Sequence, residues 1–355
     1  MTAPLVLQIA NEPVLSDSSR FVRAFGTLAA EGLISHTALS PVSLLPAGFP
    51  AALEGTRAAL RGLRPDAVFV QSPGAFPWTP ALVRELLASL GNPPVVCWEG
   101  DAWGGRKRLP APTAAWLGEA TTVFSVALGP QRALLGQHTD APVRYVPNVL
   151  PLPCDDTPVP PPAAARADAV LMGNRYVRLG FLERVDGNLD RARVVRGLRS
   201  LPGCRLAVHG TGWRGRGALG PVPYERQPEF LRHGRIAVGW DHFHHYAGFY
   251  SDRMPISFHA GRPLVNSRQP DLDWLPGPDH GLHLAATPTE AVHAVRDLLT
   301  ADPEALHAAA LRGRAWVRER LTDHEALLHM LGFLVPLPAP PADPWRAFDR
   351  DPVGV

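Results

Sequence analysis

Short apolar runs that end in polar, glycine or proline residues alternate along the chain with longer stretches whose apolar residues recur at helical spacing. PLVLQIA (4–10), DAVFVQSP (66–73), PPVVCWEGD (93–101), TTVFSVAL (121–128) and VRYVPNV (143–149) predict strands. Residues 16–31, 80–90 and a segment from Pro130 predict helices between them. Apolar runs this continuous suit parallel strands covered on both faces by helices.

Residues 150–166, LPLPCDDTPVPPPAAAR, break the alternation. Their proline content and lack of periodicity predict a semi-rigid linker rather than a packed element. A second series follows, with strands at DAVLMGN (168–174), CRLAVHGTGW (204–213), RIAVGW (235–240), RPLVNS (262–267) and GLHLAA (281–286). Helices are predicted over 189–201 and over 288–335, the latter broken near Asp302-Pro303. The Pro-rich tail from Pro336 carries Trp345 and Phe348 and is expected to pack back on the first domain. The expected fold class is therefore α/β, with two Rossmann-like doubly wound domains facing across a cleft. The boundaries read as a first domain over 1–150, a linker over 151–166, a second domain over 167–332 and a tail over 333–355.

Composition narrows the function classes. An apolar content of 46% with 19% charged residues fits a soluble globular protein rather than a disordered one. A net charge of +2 argues against a nucleic-acid partner. Lys107 is the only lysine, so an anion site must rely on arginines or backbone N–H groups. Cys97, Cys154 and Cys204 lack any CxxC spacing and read as small hydrophobes in a reducing compartment. The start, MTAPLVLQIANEP, lacks the basic n-region of a signal peptide, and no run approaches the roughly 20 apolar residues of a membrane span. A cytoplasmic location is expected.

In sheets of this kind ligands bind at the carboxyl ends of the strands. Four strand exits in the second half are polar or glycine-rich: Gly173-Asn174-Arg175 with Arg178 beyond it, His209-Gly210-Thr211-Gly212-Trp213, Trp240-Asp241-His242, and Ser251-Asp252-Arg253. Glycines admit a ligand close to the backbone, and arginines fork onto phosphate oxygens. Each exit alone is weak, and His209 equally fits a satisfied histidine at a core edge. Four from one sheet point to a ligand site. Asp241, His242, His244 and His245 crowd together in WDHFHHY, but His244 and His245 point apart in a strand or loop, so no metal site is expected. In the first half, Glu99 and Asp101 follow a strand and are the catalytic candidates. Either one takes a proton, or both only orient a substrate, or both belong to a solvated loop with Trp98 and Trp103 packed inward. Asn11, Glu12, Ser16 and Asp17 follow the first strand and face the cleft, unless Ser16 or Asp17 caps the next helix.

The succession GNRYVR, LAVHGTGW, GPVPYERQPEFLRHGRIAVGWD, SDRMPISFHAGRPLVN and PTEAVHAVRDLLTADPEALHAAALRGRAWVRERLTDHEAL resembles the C-terminal domain of GT-B glycosyltransferases. Within them it looks like the spore-maturation-type members of the retaining superfamily. The resemblance covers residues 165–332; over 1–150 it is one of layout, with VPNVLP (146–151) in the place of the domain-end motif. It implies a nucleotide-diphosphate-sugar donor held by the C-terminal domain, and a small-molecule (natural-product) or glycoconjugate acceptor. Gly173, Asn174, Arg175 and Arg178 would lie at the diphosphate and His209 to Trp213 near the nucleoside. Asp241, Ser251 and Asp252 would line the site, and Arg253 would precede the donor-binding helix. Glu12 and Asp17 would stand on the acceptor side. In an inverting enzyme Glu99 or Asp101 would take the acceptor proton; in a retaining one the departing phosphate would do so, and they would only orient sugar or acceptor. No metal or cofactor is normally required in this fold. The chain departs from the pattern where relatives carry two glutamates, having Ile256 and Leu264, with Asp252 or Asp271 as substitutes for ribose binding. That departure keeps two alternatives open, a non-catalytic nucleotide-sugar-binding protein and a sugar-nucleotide epimerase on the same scaffold.

Overall fold

The computed structural model describes residues 2–16, 21–105, 107–178, 182–183, 185 and 187–338, without the side chains of 178, 182 and 183. Asp17, Trp345 and Phe348, and with them most of the expected tail, lie outside the described residues. The chain divides into two compact units. One takes the residues up to 104, 108–147 and those from 323 on; the other takes 105–107 and 148–322.

The first unit runs β1 (Leu5–Ile9), α1 (Val22–Ala30), β2 (Ser35–Leu39), α2 (Phe49–Leu60), β3 (Ala67–Gln71), α3 (Pro80–Leu90), β4 (Val95–Glu99), α4 (Ala111–Leu117), β5 (Thr122–Ser125), α5 (Pro130–Gly136) and β6 (Val143–Tyr145). Its six strands are parallel in the order β2-β1-β3-β4-β5-β6. β3 and β4 are buried at every position, which is why AVFVQ and VVCWE are apolar up to their last residues, Gln71 and Glu99. Thr79 starts α3 by accepting the Leu82 N–H on its Oγ1 at 3.3 Å, with Pro80 preset in the first turn. Leu7, Val68, Val95 and Trp116 form part of the core under these helices, and Trp78 meets Trp116 edge-on at 5.2 Å.

The second unit runs β7 (Ala167–Met172), a short antiparallel pair β8 (Val177–Arg178) and β9 (Leu182–Glu183), α6 (Asn188–Ser200), β10 (Leu206–His209), β11 (Ala218–Gly220), α7 (Gln227–Arg232), β12 (Gly234–Val238), α8 (Arg253–His259), β13 (Leu264–Ser267), β14 (Leu282–Ala285), α9 (Pro288–Thr300) and α10 (Pro303–Arg320). Its main sheet is also six-stranded and parallel, ordered β11-β10-β7-β12-β13-β14. Leu171, Val194, Val208, Ile236, Val265 and Val295 fill its core.

Two expectations about organisation change. The Pro-rich segment is not a free linker but part of the second unit. Asp155 pins it: its carboxylate accepts Arg314 Nη2 at 3.2 Å and Arg232 Nη2 at 3.3 Å and lies 3.3 Å from His259 Nε2, while its carbonyl accepts Arg314 Nη2 at 2.7 Å. The second domain was expected to run to 332, yet α11 (Asp323–Leu331) belongs to the first unit. There Arg23 bonds to Asp323, His324 Nε2 lies 3.1 Å from Glu31, and Leu327 and Leu331 are buried.

In each sheet the strand order reverses at one place, between β1 and β3 in the first and between β7 and β12 in the second. The strands diverge in connection there and leave a crevice at their carboxyl ends, where open α/β sheets take ligands.

Candidate functional site

The exits of β7 and β12 frame the crevice of the second unit. Beside β7, the exit of β10 is stitched on by polar contacts. The Gly173 N–H donates to the His209 carbonyl at 2.9 Å, Asn174 Oδ1 accepts the Thr211 N–H at 2.9 Å, and Trp213 Nε1 donates to the Gly173 carbonyl at 2.6 Å. Gly210 has φ +132°, and a Cβ there would stand 2.3 Å from the Gly173 carbonyl oxygen, so this approach requires glycine. Asn174 and Trp213 thus spend these groups on building the rim. His209 is buried edge-on to Phe230, and burial lowers its pKa, as for a core histidine.

The β12 exit is organised by Asp241, which is 3% exposed. Its Oδ1 accepts the Ser251 N–H at 3.1 Å, its Oδ2 accepts Asn266 Nδ2 at 2.9 Å and Gln269 Nε2 at 3.1 Å, and its own N–H donates to Ser267 Oγ at 2.9 Å. Its carboxylate therefore holds the loop leading to α8 against the end of β13. Arg253 opens α8, with its Nη1 3.7 Å from Asp252, and its Nε is buried without a hydrogen-bond partner among the described residues. Asp252 in turn accepts the Tyr224 hydroxyl.

Sequence reasoning missed Arg191, on α6 and 3% exposed. Its Nε donates to the Trp240 carbonyl at 2.7 Å and its Nη1 to the Asn174 carbonyl at 2.7 Å, so one side chain joins the two exits. Its helical position masked it, since an arginine on a helix ordinarily reads as a solvated face. Arg191, Asp241, Ser251, Arg253, Ser257 and Asn266 supply polar lining to a small concavity. Its charged lining groups are the guanidiniums of Arg191 and Arg253 and the carboxylate of Asp241. Burial, followed by the charges of Arg191, Arg253 and Lys107, pushes the His242 pKa down to about 2, so its imidazole is neutral. Lys107 falls within the first half of the sequence but groups with this unit.

Other expected residues fall elsewhere. Arg175 and Gly212 line a separate groove with Trp213, and the Arg175 guanidinium lies 6.0 Å from the Trp213 ring. The Arg178 side chain lies outside the described residues. Ile256 and Leu264 are 0% and 1% exposed, and Asp271 is exposed in the turn after β13. His244 lies 3.7 Å from Asp190, and no cluster of three metal-ligating side chains forms among the described residues.

In the first unit, a polar chain runs through the sheet to the β1 exit. His36 Nε2 lies 3.1 Å from Gln8 Oε1, Gln8 Nε2 donates to Gln71 at 3.3 Å, and Gln71 Nε2 donates to Glu12 at 3.4 Å. Glu99 ends β4 and is 1% exposed. Its Oε1 accepts Ser72 Oγ at 3.2 Å and the Asp101 N–H at 3.0 Å. Burial, reinforced by the Asp101 charge, pushes its pKa up to about 7 against these hydrogen bonds. Asp101 itself is exposed, Trp98 is packed inward against Phe21, and Trp103 is half-buried. Glu99 and Asp101 are therefore neighbours with opposite environments.

Residues 191–330 match the family model described as glycosyl transferase-like. No curated protein matches the chain. Among solved structures, the chain is similar to Anabaena HepE in complex with UDP-glucose, at 10% identity and a TM-score of 0.60, over 93% of this chain and 99% of that one. It is also similar to sucrose-phosphate synthase from Thermosynechococcus elongatus, at 13% identity and a TM-score of 0.61, over 93% and 98%. T4 phage BGT in complex with UDP-glucose matches at 10% identity and a TM-score of 0.55, over 92% and 98%. Two parallel six-stranded sheets wrapped by helices give the chain the GT-B fold, and its second sheet carries a glycosyl transferase-like sequence over residues 191–330.

Proposed function

We propose that the second unit binds a nucleoside-diphosphate sugar with its diphosphate in the concavity between the β7 and β12 exits. The observation that carries this reading is the convergence of Arg253 and Arg191 at the switch point of the sheet. Asp241 and Asp252 keep their charge, but neutral donors hold both, three on Asp241 and the Tyr224 hydroxyl on Asp252, which leaves the guanidiniums as the groups able to meet an anion. Two guanidiniums supply the countercharge for a departing diphosphate, and the transfer is read as metal-independent, with no resident cofactor. UDP is the first nucleotide to test, because HepE and T4 phage BGT hold UDP-glucose.

The acceptor, a small molecule such as a natural product or a glycan, is assigned to groups of the first unit that include Glu12, Asp17, Glu99 and Asp101. Glu99 is too enclosed to meet an acceptor hydroxyl directly, which favours a retaining reaction. The bond from the anomeric carbon to the diphosphate oxygen breaks and the acceptor oxygen bonds to that carbon on the same face. The departing phosphate takes the acceptor proton, and Arg253 neutralises it.

A thermal-shift panel of nucleoside diphosphates and their sugars tests the reading, since ligand binding stabilises by RT ln(1 + [L]/Kd). UDP and a UDP-sugar should raise Tm, and Arg253→Ala should abolish the rise; a flat response across the panel would overturn it. The burial of Ile256 and Leu264, where relatives carry glutamates, favours a second reading as a non-catalytic binding protein. That reading predicts the same shift with neither transfer nor hydrolysis. Conversion of the donor sugar without any acceptor would identify an epimerase instead.

A further inference from the structure

The geometry points to a second anion site, for a phosphate ester, in the groove between α6 and the β10–β11 loop. This groove has a volume of about 240 Å³ and shares no lining residue with the concavity at Arg253. Every ionisable side chain that lines it is an arginine: Arg175, Arg196, Arg199 and Arg214. Trp213 and Val177 add an aromatic and an apolar wall.

The groove is built rather than accidental. Gly212 has φ +77°, and a Cβ there would stand 2.1 Å from the Arg175 carbonyl oxygen, so glycine alone lets the loop close on β7. The loop then returns toward α6. Arg199 donates from Nη2 to the Arg214 carbonyl at 2.8 Å and from Nε to the Arg216 carbonyl at 2.8 Å, and Arg216 bonds back to the Arg199 carbonyl. Trp213 is fixed by its bond to Gly173.

These contacts orient the guanidiniums but neutralise none of them, because carbonyls carry no net charge. Among the described residues, no carboxylate lies within ion-pair distance of Arg196, Arg199, Arg214 or Arg216, whereas Arg193 on the same helix pairs with Asp190 at 2.6 Å. Burial and then the Arg216 charge lower the Arg199 pKa, the direction expected of crowded like charges. An anion relieves that repulsion. A phosphate group, with several acceptor oxygens and a charge near −2, suits forked donors from more than one arginine, and the Trp213 side suits its organic part.

The test titrates inorganic pyrophosphate calorimetrically into wild type, Arg253→Ala and the double variant Arg196→Ala/Arg214→Ala at low salt. Arg196 and Arg214 are exposed, and an unchanged Tm checks that the double variant folds. Wild type should show two classes of site, of which Arg253→Ala removes one and the double variant weakens the other at least tenfold. A double variant that titrates like wild type overturns the proposal. An Arg253→Ala that does so instead removes the donor assignment and leaves the groove standing. Co-sedimentation with phosphatidylcholine vesicles, with and without phosphatidic acid, identifies the source. Retention by the acidic vesicles that the double variant loses assigns the phosphate to a lipid headgroup; pyrophosphate binding without retention assigns it to a soluble ester.

Discussion

The Nε of Arg191 donates to the carbonyl of Trp240 at 2.7 Å, tying the helix after β7 to the exit of β12. With its second bond to the Asn174 carbonyl, the guanidinium spans the switch point of the sheet. Burial, and next the charge of Arg253, pushes its pKa down to about 9, so it stays charged at neutral pH. Arg191→Met leaves one buried and one half-buried carbonyl without that donor and should cost roughly 2–4 kcal/mol in urea unfolding. Arg191→Lys keeps the charge but not the fork, and should recover donor affinity only in part. Wild-type stability in the Met variant would refute this role.

Asp241 is expected to resist even its closest substitute. Its Oδ2 faces the amide donors of Asn266 and Gln269, and its Oδ1 faces the Ser251 N–H. An asparagine must turn its own NH₂ toward one of these donor sets. Asp241→Asn should therefore destabilise nearly as much as Asp241→Ala, by about 2–4 kcal/mol, and weaken nucleotide binding in parallel. Thermal unfolding with and without UDP separates the effects, and an Asn variant as stable as wild type would contradict the account.

Most strands of both sheets were legible because strands such as β3, β4 and β7 are buried throughout and apolar but for one residue each, Gln71, Glu99 and Asp168. β2, SHTAL at a sheet edge, carries a mixed pattern and left no such trace. Of the candidate site, Arg253 was legible as a charge at a strand exit, and Ser251 and Asp241 as polar neighbours. Their roles were not, since composition does not tell a carboxylate that binds a ligand from one that holds a loop. Arg191 and Ser257 come from helices, where only the packing shows which face meets the crevice. The boundary at Asp323 was illegible for a similar reason: α11 follows α10 without a break in composition, and its docking depends on Arg23 and Glu31, nearly three hundred residues earlier.

His324 makes that docking pH-dependent. Hydrogen bonding to Glu325, with a further contribution from Glu31 and against burial, pushes its pKa up to about 9 from an ordinary 6.5. A histidine whose pKa rises on folding stabilises fully below the unfolded value, and that stability fades as pH climbs through the folded one. Solvent screening limits the effect to about 1 kcal/mol. His324→Ala should thus lower unfolding free energy at pH 6 and make little difference at pH 10. Equal losses at both would show that His324 acts through packing alone.

Glu99 carries the opposite sign. Its folded pKa of about 7 lies above its ordinary 4.5, so the native state holds the proton more tightly than the unfolded chain. The associated stability is present below pH 4.5 and is lost as pH rises toward 7, on the order of 3 kcal/mol across the window. Glu99→Gln cannot ionise, so the difference between wild type and variant in urea unfolding should grow between pH 4.5 and 8, with the variant gaining relative stability. A constant difference would remove the buried-carboxyl assignment. The same variant bears on the reaction. A general base contributes typically 10²–10⁴-fold, and its loss would cut turnover by that much. With the acceptor proton passing to the departing phosphate, Glu99→Gln should reduce kcat less than tenfold and leave its pH profile without an inflection near 7. A loss of a hundredfold or more would make Glu99 the proton acceptor and the transfer an inverting one.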